Sequence, residues 1–181
     1  DRAYALELVE RGFVVIVPDY PSFGEHAYDF APSRGYASGT MKAVWDNVRA
    51  IDVLETLPSV DARRAGCIGH SLGGHNAIFT AVFEPRIAAV VSSCGFSSMR
   101  KDDVPSWNGV RYMPRIATEF GNDVRQLPWD FPELIGVIAP RPFLACAATK
   151  DDDFSVDGVR DVLAAAGRVY ELLGAKEKLV G

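Results

Sequence analysis

Gly66-Cys67-Ile68-Gly69-His70-Ser71-Leu72-Gly73-Gly74-His75-Asn76-Ala77-Ile78-Phe79 is the stretch that decides the fold. A short apolar run enters Gly-His-Ser-Leu-Gly at 69–73, and a run with helical character leaves it. A strand, a sharp turn and a helix in that order expose a serine hydroxyl at the top of a sheet, which makes Ser71 a candidate nucleophile. Gly69 and Gly73 flank it two residues on either side, and both are expected where the turn leaves no room for side chains, with Gly74 adding further room. The backbone N–H of Leu72, at the start of the helix, would face a substrate oxygen and supply half of an oxyanion hole. The alternative is a glycine-rich packing or phosphate turn.

Outward from this stretch, strand and helix patterns alternate. Residues 1–11 read as a helix stopped by Gly12, and Phe13-Val14-Val15-Ile16-Val17 reads as a buried parallel strand closed by Pro18. From Thr40 to Leu57 apolar residues recur at three- and four-residue steps, which predicts a helix ending before Pro58. The elbow strand is predicted over 65–68 and its helix over 74–83, followed by strands at 87–92 and 143–148. A helix marked by Val159, Val162, Leu163, Ala166, Val169, Tyr170 and Leu173 ends at Gly174, and Leu179-Val180 opens another strand. This order implies an α/β class: a three-layer sandwich around a mostly parallel sheet, with the site beyond the strand C-termini. Between 96 and 133 periodicity fails while Trp107, Tyr112, Phe120, Trp129 and Phe131 accumulate, as expected of an insertion or cap.

Composition narrows the function. With 181 residues and 48% hydrophobic content the chain is long enough for one substantial core, and a net charge of −5 provides no basic stripe for a nucleic acid. Its apolar runs fall far short of the ~20 residues a membrane-spanning helix needs. Cys67, Cys94 and Cys146 sit in or beside apolar runs and are expected to be buried structural thiols, an odd number without metal-ligand spacing. No metal or other cofactor is expected. Oligomeric state and localisation are not legible.

A serine hydroxyl needs a base and an oriented acid. Lys150-Asp151-Asp152-Asp153 follows the strand at 143–148, and Asp151 is the first carboxylate past its end, unless all three only solvate the loop. The three histidines are His26, His70 and His75. His70 leaves the turn in a different direction from Ser71 and is a pocket candidate rather than a base. His75, one helical turn on, reads as structural support. His26 follows a strand end and is a conceivable substitute base that would break the usual order of serine, acid, histidine.

With Val17-Pro18-Asp19-Tyr20 upstream and Ala139-Pro140-Arg141-Pro142 and Asp151 downstream, the elbow resembles that of the α/β-hydrolase superfamily, and the likeness spans nearly the whole chain. It is most similar to the dienelactone-hydrolase, acetylxylan-esterase and prolyl-oligopeptidase-like branch, where a strand ending in Pro-Asp-Tyr leads to a Phe-Gly loop, here Phe23 and Gly24. The resemblance implies that residues 1–181 are the central part of one hydrolase domain, incomplete at both ends. It implies Ser71 as nucleophile and Asp151, or Asp152 if the register shifts, as acid. The catalytic histidine is then expected after Gly181 and the second oxyanion donor before Asp1. Ester cleavage through an acyl-enzyme is the leading expectation, on a small or carbohydrate-linked ester. A prolyl-oligopeptidase-type peptidase or an inactive hydrolase-fold module are the alternatives. Trp107, Tyr112 and Trp129 are candidates for the pocket wall, although aromatic core is the expected role for any single one of them.

Overall fold

The computed structural model describes residues 4–31 and 34–181. After a short helix α1 (Tyr4–Glu10) comes an irregular stretch and then α2 (Gly39–Thr56), whose N-cap Ser38 accepts from the Met41 N–H. The core unit follows: β1 (Gly66–His70), α3 (Leu72–Phe83), β2 (Ala89–Ser93), α4 (Arg115–Thr118), α5 (Phe131–Ile138), β3 (Phe143–Cys146), α6 (Val156–Leu172) and β4 (Leu179–Val180). The expected helix at 1–11 is found from Tyr4 on, residues 1–3 lying outside the described ones.

The four strands form one parallel sheet in the order β1-β2-β3-β4. Because neighbours in space are neighbours in sequence, right-handed crossovers bring the connecting helices to one face. There α3 packs on β1 and β2 and touches α2 and α5, while α5 touches α6. The pleat agrees: Cys67, Val90 and Phe143 stand in register toward the helices, whereas Ile68, Val91, Leu144 and Val180 line the opposite face, with Ile68 42% and Val180 52% exposed. Helices α2, α3, α5 and α6 thus make one outer layer of the α/β sandwich. Enclosed by the sheet, α2 and α5, α3 is buried at every residue from Gly74 to Ala81, which is why it carries no polar stripe.

Two expectations are corrected. Phe13–Val17 is not a strand: it pairs with none of β1–β4, and Phe13, Val14 and Val17 are 55%, 52% and 72% exposed. A parallel strand exists only through a neighbour that completes its hydrogen bonds, and β-branched composition does not provide one. Nor are all three thiols buried. The Cys67 Sγ–H donates to the Ala77 carbonyl at 3.5 Å, and burial pushes its pKa up to about 12, but Cys146 is exposed.

The irregular segment after β2 does not stand apart from the domain. Phe96, Met99, Val104, Trp107, Ile116 and Phe131 enter the same core as Ile78, Val90, Phe143 and Val162. Its end holds an unpredicted helix, α5, opened by a capping box in which Asp130 and Glu133 satisfy each other's backbone N–H groups, with a proline in the first turn.

Candidate active site

β1 ends at His70, α3 begins at Leu72, and Ser71 between them has φ 53° and ψ −120°. A left-handed φ is costly for a residue with a Cβ, so the surroundings must impose it. They hold Ser71 from both sides: its N–H donates to the Ser93 carbonyl at 2.8 Å, and its carbonyl accepts from the His75 N–H at 3.0 Å. The Ser71 side chain does not cap α3, which leaves Oγ uncommitted to the helix it precedes. The first N–H groups of α3, Leu72 among them, have no acceptor within the helix and point along the positive end of its dipole.

The glycines divide. A Cβ on Gly69 would lie 2.1 Å from the carbonyl carbon and oxygen of Gly73, and one on Gly74 would lie 3.1 Å from Gly95 Cα and 2.9 Å from Ser92 Oγ. Gly73 is a correction: a Cβ there meets nothing within 4 Å, because the residue is exposed on the outer side of the first helical turn.

Ladder register carries the other functional groups to the same end of the sheet. His70 lies opposite Ser93, and Ser93 opposite Cys146, so the turns after β1, β2 and β3 stand side by side. The middle one is also tight, with Cys94 at φ 46° and its N–H donating to the Cys146 carbonyl at 2.7 Å. Asp151 follows β3. Its Oδ1 accepts from the N–H groups of Asp153 at 3.0 Å and Phe154 at 3.1 Å. Desolvation raises its pKa, but those two bonds, the Cys94 thiol and the nearby His70 together outweigh it and hold the carboxyl below its ordinary range. Asp151 is therefore an ionised, backbone-braced carboxylate, whereas Asp152 and Asp153 are exposed. Cys94 is the residue at this site that sequence reading missed. Its thiol serves Asp151 rather than the core, and no spacing signals that.

The histidines occupy three different settings. His70 Nδ1 meets Ser93 Oγ at 3.2 Å and lies within electrostatic reach of Asp151. His26 Nδ1 sits 3.2 Å from the Asp19 carbonyl and 3.9 Å from Asp46, away from the elbow's own hydrogen bonds. His75 is 2% exposed, and burial pushes its pKa down to about 3, so it is a neutral structural group rather than a proton shuttle at neutral pH.

Of the aromatic candidates, Trp107 is 6% exposed and stacks on His75 at 4.8 Å and Phe131 at 5.6 Å, with Nε1 donating to Asp102 at 3.2 Å. It is core, not pocket wall, since its faces are already occupied. Trp129 is half-buried, edge-on to Phe79 at 5.5 Å and Phe131 at 6.2 Å. Tyr112 is half-buried, and its carbonyl accepts from Ser38 Oγ at 2.6 Å. A cavity of about 780 Å³ lies at the opposite end of the strands, lined by Arg63, Pro85, Ala88, Arg141, Pro142 and Lys178. None of the site residues borders it. Among the described residues no three His, Cys, Asp or Glu side chains gather as a metal site, and no helix is long and apolar enough to cross a membrane.

Comparison with known proteins adds the lineage. A family model described as "Glucuronyl esterase, fungi" matches residues 24–174. The chain is 31% identical over 165 residues to 4-O-methyl-glucuronoyl methylesterase 1 of Wolfiporia cocos, an alignment covering 81% of this chain and 40% of that protein. It is 26% identical over 203 residues to 2,6-dihydropseudooxynicotine hydrolase of Paenarthrobacter nicotinovorans, covering 95% and 53%. A solved carbohydrate esterase family 15 glucuronoyl esterase from Caldicellulosiruptor kristjansonii superposes with a TM-score of 0.71 at 27% identity, over 80% of this chain and 44% of that one. The chain thus spans less than half the length of both esterases. With the parallel sheet, the serine elbow and the match over 24–174 in agreement, this chain belongs to the glucuronyl esterase family within the α/β hydrolases.

Proposed function

We propose that the protein carrying this chain is a serine hydrolase that cleaves a carbohydrate-linked carboxylic ester, of the kind its esterase relatives are named for. The observation that carries this reading is the placement of a strained Ser71, its side chain not spent on capping α3, and an ionised Asp151 beyond the same end of one sheet, after β1 and β3 with only β2 between them. Ser71 Oγ attacks the ester carbonyl carbon, and its proton passes to a histidine. The carbonyl oxygen, now carrying the charge, is held by the Leu72 N–H at the positive end of α3. The imidazolium returns the proton to the departing alkoxide, so the alcohol leaves neutral and an acyl-enzyme remains. Water, deprotonated by the same imidazole, attacks that acyl group and releases the acid and Ser71.

Asp151 orients the imidazole and stabilises its charge. The base itself is expected beyond Gly181. His75 is too deeply buried to serve, and His26 and His70 are held by Asp19 and Ser93.

The test is turnover by the full-length protein of a uronic-acid methyl ester, an acetyl ester and a prolyl peptide. The uronate ester should be cleaved fastest, and Ser71→Ala should lower kcat by about 10⁴-fold or more. Preferential cleavage of the peptide would assign the site to a peptidase, and unaltered ester turnover in Ser71→Ala would overturn the nucleophile. A histidine following a short strand after Gly181 should be essential in the same assay.

A further inference from the structure

One buried polar chain runs from the elbow helix to the surface. His75 Nε2 lies 3.2 Å from Thr40 Oγ1, Thr40 Oγ1 lies 3.3 Å from Tyr20 Oη, and Tyr20 Oη donates to the Arg111 carbonyl at 2.7 Å. Proton counting gives the chain a direction. A carbonyl can only accept, so the single Tyr20 proton goes to Arg111, and Tyr20 Oη can then only accept from Thr40. Thr40 has one proton and spends it on Tyr20, so Thr40 Oγ1 must accept from His75, whose proton is therefore on Nε2. The other ring nitrogen agrees. Nδ1 is buried without a hydrogen-bond partner among the described residues, on an imidazole whose ring centre lies 4.8 Å from those of both Phe79 and Trp107. A bare lone pair is tolerated there more cheaply than an orphaned N–H. Burial also raises the Tyr20 hydroxyl above its usual range, which keeps its proton in place for Arg111.

What the chain joins gives it a purpose. Its inner end is on the first turn of α3, four residues after Ser71. Its outer end is a rim where the Arg111 guanidinium lies over the Phe23 ring at 5.1 Å and Tyr20 packs edge-on to Phe23 at 5.7 Å. Between them the start of α2 is pressed against the 110–112 backbone: Gly39 N–H donates to the Val110 carbonyl at 3.0 Å, and a Cβ on Gly39 would lie 2.1 Å from the Arg111 oxygen. We propose that His75, as the Nε2–H tautomer, is a positioning residue that fixes the Tyr20–Phe23–Arg111 rim relative to the Ser71 elbow through Thr40, making that rim part of the substrate-binding wall. This rests on the hydrolase reading above. The elbow itself has independent anchors, the bonds from Ser71 N–H to Ser93 and from His75 N–H to Ser71. Breaking the chain should therefore loosen the wall and leave the nucleophile in place.

The experiment uses the full-length protein with ¹⁵N-labelled histidine. Long-range ¹H–¹⁵N spectra should show His75 protonated at Nε2 and not at Nδ1, unchanged from pH 8 to pH 5. Thr40→Val should abolish the protected Nε2–H signal and raise KM for the uronate ester about tenfold, the scale of one lost buried hydrogen bond, with kcat within about threefold. Thr40→Ser should restore both. An Nδ1–H tautomer in the wild type, a folded Thr40→Val with unchanged KM, or a Thr40→Ser that fails to rescue would each overturn the proposal. Should the protein cleave no ester at all, the hydrolase reading falls and the wall assignment with it, while the tautomer measurement still decides the directed chain. Normal cleavage with the wrong tautomer would sink the chain alone.

Discussion

Ser71 and Asp151 leave the same end of one sheet, after β1 and β3 with β2 between them, and are held by opposite means. The serine is fixed through its backbone: a left-handed φ of 53°, two main-chain bonds and an approach of Gly69 to Gly73 too close for any side chain leave the turn one conformation. The aspartate is fixed through its side chain, whose Oδ1 accepts two loop N–H groups while the loop is otherwise exposed. A nucleophile must be projected from a defined point with its hydroxyl uncommitted, so its restraints have to come from the main chain. An orienting carboxylate can share an oxygen with the loop it organises and still face an imidazole.

The largest expected effect tests the side-chain half of this contrast. Asp151→Asn keeps the shape but removes the charge that stabilises an imidazolium, and kcat should fall by about 10⁴-fold with KM little changed. Measured beside it, Asp152→Asn should stay within about twofold of wild type. A large fall in Asp152→Asn with a mild one in Asp151→Asn would move the acid by one residue.

The next effect concerns His75, whose ring sits beneath the elbow. Folding depresses its pKa from 6.5 to about 3 through burial. Above pH 6.5 both folded and unfolded chains hold it neutral, and its contribution is constant. As pH falls toward 3, the unfolded chain takes up a proton that the folded one refuses, so stability drops by on the order of 4 kcal/mol over that window. Urea unfolding at pH 7, 5.5 and 4 should show His75→Gln, which cannot be protonated, losing less stability with acid than wild type. Parallel slopes would mean that the ring is hydrated in solution.

How much of this was legible in the sequence follows from how local each determinant is. The elbow, the four sheet strands and the long helices α2, α3 and α6 depend on periodicity and on turn chemistry within a few residues, and they stand where the pattern puts them. Phe13–Val17 has the same β-branched pattern as the paired strands and remains unpaired, because a strand depends on a neighbour that its own sequence does not contain. The helix α5 is readable in principle from Asp130-Phe131-Pro132-Glu133, but the aperiodic, aromatic-rich sequence before it masks the capping signal. At the site, Ser71 is marked by its flanking glycines, while the service of Cys94 to Asp151 and of Thr40 to His75 spans dozens of residues and arises only from packing. Trp107 shows what packing alone decides, since an aromatic in an irregular segment fits core or pocket wall equally in sequence until its neighbours are seen to fill the space around it.

The smallest effects test the backbone half, using two glycines that look equivalent in Gly-His-Ser-Leu-Gly. Gly69→Ala forces a methyl to within 2.1 Å of the Gly73 main chain, where no flexible side chain can yield. The turn must open, at a cost of about 3 kcal/mol of stability, of the order seen for overpacking, and Ser71 is displaced as it does so. Gly73→Ala puts its methyl into open space on the first turn of α3, where alanine is the better helix former, so stability should stay level or rise by up to about 1 kcal/mol. Thermal unfolding of both variants, with labelling of Ser71 by a serine-reactive phosphonate, separates the two roles. Gly69→Ala should lose stability and labelling together, and Gly73→Ala should keep both. If Gly73→Ala folds normally but labels slowly, its glycine is needed to clear the approach to the nucleophile, and the constraint on that position comes from the substrate side rather than from the turn.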